Sequence, residues 1–175
     1  MKIIHLSDTH IDPEILHNID SQKRFNLALD HIKNNHTDAD HFIITGDLTH
    51  FGNDASYQMF IKMLTEAKLP DHLYPKLILG NHDNRKNFKK NFPHVKTDQN
   101  GFVQYAENFD DKTFIYLDTN LAGTDAGHLC EKRQQWLRET LEKEQNSKIY
   151  IFMHHNPLAL GHIKSDSIGL VQRDD

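Results

Sequence analysis

Cys130 is the only cysteine in this chain of 175 residues, so no disulfide can form within it, and a reducing compartment is the simplest fit. No apolar stretch approaches the roughly 20 residues that a membrane span needs. The opening run Met1-Lys2-Ile3-Ile4-His5-Leu6 turns polar at Ser7-Asp8, too early for the apolar segment of a secretory leader. A basic excess is missing as well. The net charge of −5 argues against a nucleic-acid polymer as partner. It leaves room for a small anion, because bound metal ions can reverse the local field. Internal repeats and linker-like tracts are also absent. With 37% hydrophobic and 26% charged residues, the expectation is one soluble cytoplasmic domain over residues 1–175 with no membrane partner, its homo-oligomeric state left open.

Histidine, by contrast, is plentiful: there are 14. Imidazole is the commonest metal ligand and titrates near neutrality, but most histidines in any protein sit on the surface, so position has to decide. The chain alternates apolar runs with amphipathic ones. Strands are expected at Lys2–Ser7, His41–Thr45, Lys76–Leu79 and Lys148–Met153, and a strand pair at Gly101–Glu107 and Thr113–Leu117. Helices are expected at Ser21–Asn34, Ala55–Ala67 and Leu129–Gln145, the last around a core of Trp136, Leu137 and Leu141, with a basic helical stretch running to Phe92. The tail from Asn156 shows no clear period. This alternation implies an α/β fold.

Four of the strands run straight into polar clusters: Asp8-Thr9-His10, Gly46-Asp47, Gly80-Asn81-His82-Asp83 and His154-His155. In open α/β sheets ligands bind beyond the carboxyl ends of strands, so these four loops can meet in one crevice. Carboxylate, amide and imidazole donors without a thiolate suit Mn, Fe, Zn, Co or Ni. Asp8 and His10, two apart in an extended segment, share a face and can grip one ion. One carboxylate at Asp47 can offer an oxygen to each of two ions, and the neutral Asn81 limits negative charge where a phosphate is to bind. His82 is placed to protonate a leaving alkoxide. Each cluster has a plainer alternative: Asp-x-His is common in loops, Gly-Asp also makes a turn with a helix cap, and Asn-His-Asp also makes a polar turn. The basic run Arg85–Lys90 reads as a solvated helix face, with an electrostatic lure for phosphate as the other reading.

As a set, Asp8-Thr9-His10, Gly46-Asp47-Leu48-Thr49, Gly80-Asn81-His82-Asp83 and Met153-His154-His155-Asn156-Pro157 resemble the calcineurin-like metallophosphoesterase superfamily across nearly the whole chain. The resemblance implies a sandwich of two sheets flanked by helices. It also implies two divalent or mixed-valence ions (Mn, Fe, Zn or Co) that hold a hydroxide. By it, Asp8 and His10 bind the first ion, Asp47 bridges, Asn81 and His154 bind the second, and His82 is the catalytic histidine. His154 is preferred to His155 because the ligand in relatives directly follows the strand. Asp83, His155 and His162 are further candidates, for touching substrate or for supporting the ligands. Leu6-Ser7-Asp8-Thr9-His10, with Pro157–His162 and the Asp166…Ile168-Gly169-Leu170 tail, is similar to the class III cyclic-nucleotide phosphodiesterase branch, which includes glycerophosphodiesterases. Two positions depart from that branch: Asn156 replaces the more usual proline, and His50 stands where an acidic residue is frequent.

Relatives close the site with Gly-His-x-His, and this chain has none; Gly161-His162-Ile163-Lys164 carries Lys in place of the second His. The expectation is therefore a C-terminally incomplete domain, a fragment of a longer protein. A complete chain with a weakly metallated site, or a second chain supplying the ligands, are the other two readings. The expected activity is metal-dependent hydrolysis of a small phosphodiester such as a cyclic nucleotide. The alternatives are a phosphoesterase-fold scaffold that has lost catalysis and a phosphomonoesterase; a nuclease is disfavoured by the acidic balance.

Overall fold

The computed structural model describes residues 1–16 and 18–171, with Lys164 described by its backbone alone. His17 and residues 172–175 lie outside the described residues. In chain order the elements are β1 (Ile3–Leu6), α1 (Ser21–Asn35), β2 (His41–Thr45), α2 (Asp54–Ala67), β3 (Lys76–Ile78), α3 (Arg85–Asn91), β4 (Tyr105–Phe109), β5 (Lys112–Tyr116), α4 (Glu131–Lys143), β6 (Lys148–Phe152) and α5 (Ile163–Ser167). They form two three-stranded sheets. The first, β1-β2-β3, is wholly parallel, pairing Ile3 with His41 and Thr45 with Ile78. In the second, β4 runs antiparallel to β5 and β6 parallel to it.

The run Phe42-Ile43-Ile44 in β2 shows how these residues make a layered molecule. Successive strand side chains point to opposite faces. Phe42 and Ile44 join the cluster that packs Phe25, Leu29 and Ile32 of α1 and Tyr57, Phe60 and Leu64 of α2 onto the sheet. Ile43, with Ile78, faces Tyr105, Phe114 and Tyr116 of the second sheet. A strand buried on both faces reads as a near-continuous apolar run, as Phe42-Ile43-Ile44 does at the middle of β2. Each of the first three helices starts on a side chain that accepts an orphan backbone N–H: Asp20 from Lys23, Asn53 from Ser56 and Asn84 from Asn87.

Three expectations are corrected. The strand expected from Gly101 begins at Tyr105, because Asp98 and Asp118 draw the backbone N–H groups of Phe102 and Val103 into a loop. Trp136, Leu137 and Leu141 are only half-buried, and the single buried side chain of α4 is Arg133. The tail, in which the sequence shows no clear period, forms the one-and-a-half-turn α5 and then pairs Leu170 with Gly127. Among the described residues, no helix is long and apolar enough to cross a membrane.

Candidate metal centre

The parallel ladder of β1 and β2 does not stop where the strands do. Asp8 N–H donates to Gly46 O, His10 N–H to Asp47 O and Ile11 N–H to Leu48 O, at 2.9–3.1 Å. These bonds carry two of the motif loops side by side past the sheet edge. The loops are held in left-handed backbone: Asp8, His10 and Asp47 have φ of 58°, 44° and 48°. Such conformations cost non-glycine residues of order 1–3 kcal/mol each and persist where the surroundings over-determine them. The third loop presses against the second. A Cβ on Gly46, whose φ is +90°, would meet Gly80 N at 2.4 Å, and one on Gly80 would meet Asp47 Oδ1 at 2.1 Å. Glycine is required at both positions for Asp47 and Asn81 to approach.

Asp47, 2% exposed, stands at the centre. Its Oδ1 accepts the His82 N–H at 2.9 Å and lies 3.6 Å from His154 Nε2; its Oδ2 lies 3.5 Å from His10 Nε2. The two oxygens of one carboxylate thus face imidazoles that come from different sheets. On one side, Asp8 Oδ1 is 3.8 Å from His10 Nε2. On the other, Asn81 Oδ1 is 3.0 Å from His154 Nε2. His154 Nδ1 donates to Thr45 O at 2.8 Å, which turns Nε2 toward Asp47. A metal-bound imidazole commonly holds its other N–H on a carbonyl in this way. The His10 imidazole holds the Asp8 carboxyl down at about 2, outweighing the burial that raises it, and Asp8 in turn raises His10.

These donors fit divalent ions. Two donor atoms on one ion stand no more than about 4.2 Å apart, twice a metal–ligand bond of about 2.1 Å. All four donor pairs just given lie within that limit. Asp8, His10 and Asp47 form a group that could hold an ion, and His154 lies between Asn81 Oδ1 and the other oxygen of Asp47 on the opposite side.

The remaining candidates are placed differently. His82 projects toward His10, with ring centroids 4.6 Å apart, and its Nδ1 donates to His50 O at 2.8 Å. Asp83 is buried beneath the loops. Its Oδ2 accepts from Gly80 N and Leu48 N, its Oδ1 from the Tyr57 hydroxyl, and burial lifts its carboxyl to about 6. It therefore ties the Gly46–Thr49 loop to the Gly80–Asp83 loop. His155 points away from the centre: its Nδ1 is 2.7 Å from Thr119 Oγ1 and its ring fills the space over Gly127, where a Cβ would come within 2.3 Å. Burial drops its imidazole to about 4. His162 is exposed and caps α5 through Ser165, a role apart from the ligand groups.

Sequence reasoning passed over a fifth strand-end cluster, Asp118-Thr119-Asn120, which follows β5 with the same signature as the other four. Asn120 Nδ2 donates to Gly80 O and Asp83 O, fixing the loop that carries Asn81 and His82. Fully buried Asp118 takes a two-pronged bond from Arg85, at 2.6 and 2.8 Å. Arg85, expected on a solvated face, is thus committed to the interior. The neighbouring Lys90 pairs with Asp54 at the surface.

A family model described as calcineurin-like phosphoesterase matches residues 1–172. The chain belongs to that family. Calcineurin-like phosphoesterases use divalent metal ions, which agrees with the ligand groups above. Among curated relatives, a probable cyclic nucleotide phosphodiesterase of Rhodopseudomonas palustris is 34% identical over 179 residues, covering 99% of this chain and 64% of the relative. A probable glycerophosphodiester phosphodiesterase of Arcobacter nitrofigilis is 31% identical, covering 92% and 59%. The 3',5'-cyclic adenosine monophosphate phosphodiesterase of Escherichia coli K12 is 24% identical, covering 92% and 57%. This calcineurin-like chain therefore spans about three-fifths of the length of the curated relatives it matches.

Proposed function

We propose that the chain provides the catalytic core of a cytoplasmic, metal-dependent phosphodiester hydrolase with a dinuclear centre. The observation that carries this reading is the pair of Asp47 oxygens, one 3.5 Å from His10 and the other 3.6 Å from His154. That is the arrangement of a carboxylate shared by two ions. Asp8 and His10 would hold the first ion, Asn81 and His154 the second. Such ions supply Lewis acidity and an activated water for in-line displacement at phosphorus. The chain's own part is to place and to protonate. Because a carbonyl only accepts, the His82–His50 bond puts a proton on His82 Nδ1 and leaves Nε2 as the nitrogen that exchanges protons with substrate. As the P–O bond breaks, the protonated Nε2 gives its proton to the departing alkoxide.

A cavity of about 350 Å³ opens beside Asp8 and His10, walled by Leu6, Leu16, Ile19, Phe25 and Ala28. Its apolar wall favours a diester whose alcohol carries a flat apolar body, as a nucleoside does, over glycerol. The names of the relatives span both substrates. With Mn²⁺ added, the chain is expected to bind two ions and to hydrolyse an aryl phosphodiester. It is expected to prefer a cyclic nucleotide to a glycerophosphodiester. Asp47→Ala should lower the rate by about a thousandfold or more, since both ions lose a ligand. Pure, folded protein that binds two ions and hydrolyses neither diester would refute the reading. Protein that binds none at millimolar Mn²⁺ would point instead to a scaffold.

A further inference from the structure

His10, His50 and His82 form a further grouping; the hydrolytic reading uses His10 and His82 in separate roles and His50 only through its backbone carbonyl. Each offers one ring nitrogen, and the three atoms lie within 4.8 Å of one another. The rings make a triangle, with centroids 4.6 Å apart for His10–His82, 4.8 Å for His50–His82 and 5.5 Å for His10–His50. All three side chains are half-buried, so a cation can reach them. Their backbones are pinned: His10 N–H to Asp47 O, His50 N–H to Ile11 O, and His82 N–H to Asp47 Oδ1. The carbonyl of His50 fixes the proton on His82 Nδ1, which leaves the lone pair of the neutral ring on Nε2. An imidazole so held is preset as a metal ligand.

We propose that these three histidines form a tri-imidazole site for borderline cations such as Cu²⁺, Ni²⁺ or Zn²⁺, distinct from the carboxylate-based groups. The donor chemistry separates the two. Nitrogen-only sets favour Cu²⁺, Ni²⁺ and Zn²⁺, whereas carboxylate and amide oxygens serve Mn²⁺ well. Closing three nitrogens around one ion needs separations below about 4.2 Å, so the rings move by under about 1 Å, within reach of half-buried side chains. His10 belongs to both sets, so occupancy of the triad competes with the Asp8–His10–Asp47 group. An ion on the triad also takes the lone pair of His82 Nε2. Such a cation is therefore an inhibitor that acts by withdrawing two residues from the hydrolytic site at once. The triad itself rests on geometry alone and stands whether or not the chain hydrolyses phosphodiesters.

Copper titrations of the purified, metal-stripped chain followed by electron paramagnetic resonance test this, because the hyperfine pattern counts coordinated nitrogens. The pair of exposed His31 and half-buried His36, with rings 5.0 Å apart, is removed beforehand by His36→Gln in every sample. The parent is expected to show three coordinated nitrogens at one equivalent of Cu²⁺. His50→Phe keeps an aromatic ring but no donor. It should lose one nitrogen and weaken Cu²⁺ binding by about tenfold or more, with Mn²⁺ binding unchanged. Asp8→Asn should do the reverse, weakening Mn²⁺ while keeping the three-nitrogen signal. His50→Gln repeats the first comparison should the larger ring perturb folding, which circular dichroism reports. A copper spectrum identical with and without the His50 imidazole would overturn the proposal. So would parallel loss of Mn²⁺ and Cu²⁺ binding in both folded His50 variants.

Discussion

Asp83 is the residue on which two motif loops hang, and it does so at a cost that depends on pH. It accepts backbone N–H groups from Gly80 and Leu48 and the Tyr57 hydroxyl, yet burial dominates and lifts its carboxyl from the ordinary 3.8 to about 6. A carboxyl raised in the folded state binds its proton more tightly there than in the unfolded chain. Stability from this group is therefore fully present below about pH 4 and is lost as pH rises toward 6, after which it stays constant. Asp83→Asn keeps an acceptor for the two N–H groups and removes the charge. In metal-free protein the variant should gain on the parent progressively from pH 4 to 6. The rise from 3.8 to about 6 caps that gain at about 3 kcal/mol. Urea denaturation at pH 4, 5, 6 and 7 measures it. A stability difference flat across that range would mean that Asp83 is ionised throughout.

Between elements, the joint that matters is the one from β5 to α3 and α4. Asp118, at the end of β5, is fully buried and receives Arg85 from α3 through two bonds and Arg133 from α4 at 3.4 Å, while Phe102 lies under both guanidinium groups at 5.3 and 4.7 Å. Without Arg85 the buried Asp118 carboxylate is left to the longer Arg133 contact alone, and a buried charge that loses a partner is costly. Arg85→Ala is expected to destabilise the fold by about 3 kcal/mol. Arg85→Lys should recover little, since an ammonium cannot span both carboxylate oxygens and the Asn120 carbonyl as the guanidinium does. Full recovery by lysine in chemical denaturation would show that charge alone, not the fork, is what the joint requires. This joint was legible in part. The strand-end pattern that revealed Asp8, Asp47, Asn81 and His154 also marks Asp118 and Asn120, but nothing in their spacing tells a support from a ligand. Periodicity found the helices and most strands because burial imposes it. The same signal misled at α4, where Leu137 and Leu141 repeat at helical spacing but are only half-covered. Left-handed backbone at Asp8, His10 and Asp47 had no sequence sign, since it is enforced by the neighbouring loops and not by the residues themselves.

Across the whole molecule, burial is uneven. The first sheet lies between two helices on one face and the second sheet on the other, so Phe42, Ile43 and Ile44 are at most 1% exposed. In β6, an edge strand, Tyr150 is 39% and Ile151 41% exposed. Local opening follows such differences. Amide exchange followed by mass spectrometry should find the β2 amides slowest, with those of β6 faster by about two orders of magnitude. Yet β6 leads into His154, whose imidazole reaches across to Thr45, Asp47 and Asn81 of the first sheet. An ion held by His154, Asn81 and Asp47 would tie the loosest strand to the tightest one. Binding to the folded state alone stabilises it by an amount set by ligand concentration over Kd, and it raises most the opening cost of elements that must separate for release. Saturating Mn²⁺ should therefore slow exchange in β6 well beyond any effect on β2, and Asn81→Ala should weaken that protection. Equal slowing of both strands would mean that the metal senses only global unfolding. No slowing in β6 alongside tight Mn²⁺ binding would place the ion on the Asp8–His10 side and remove His154 from the centre.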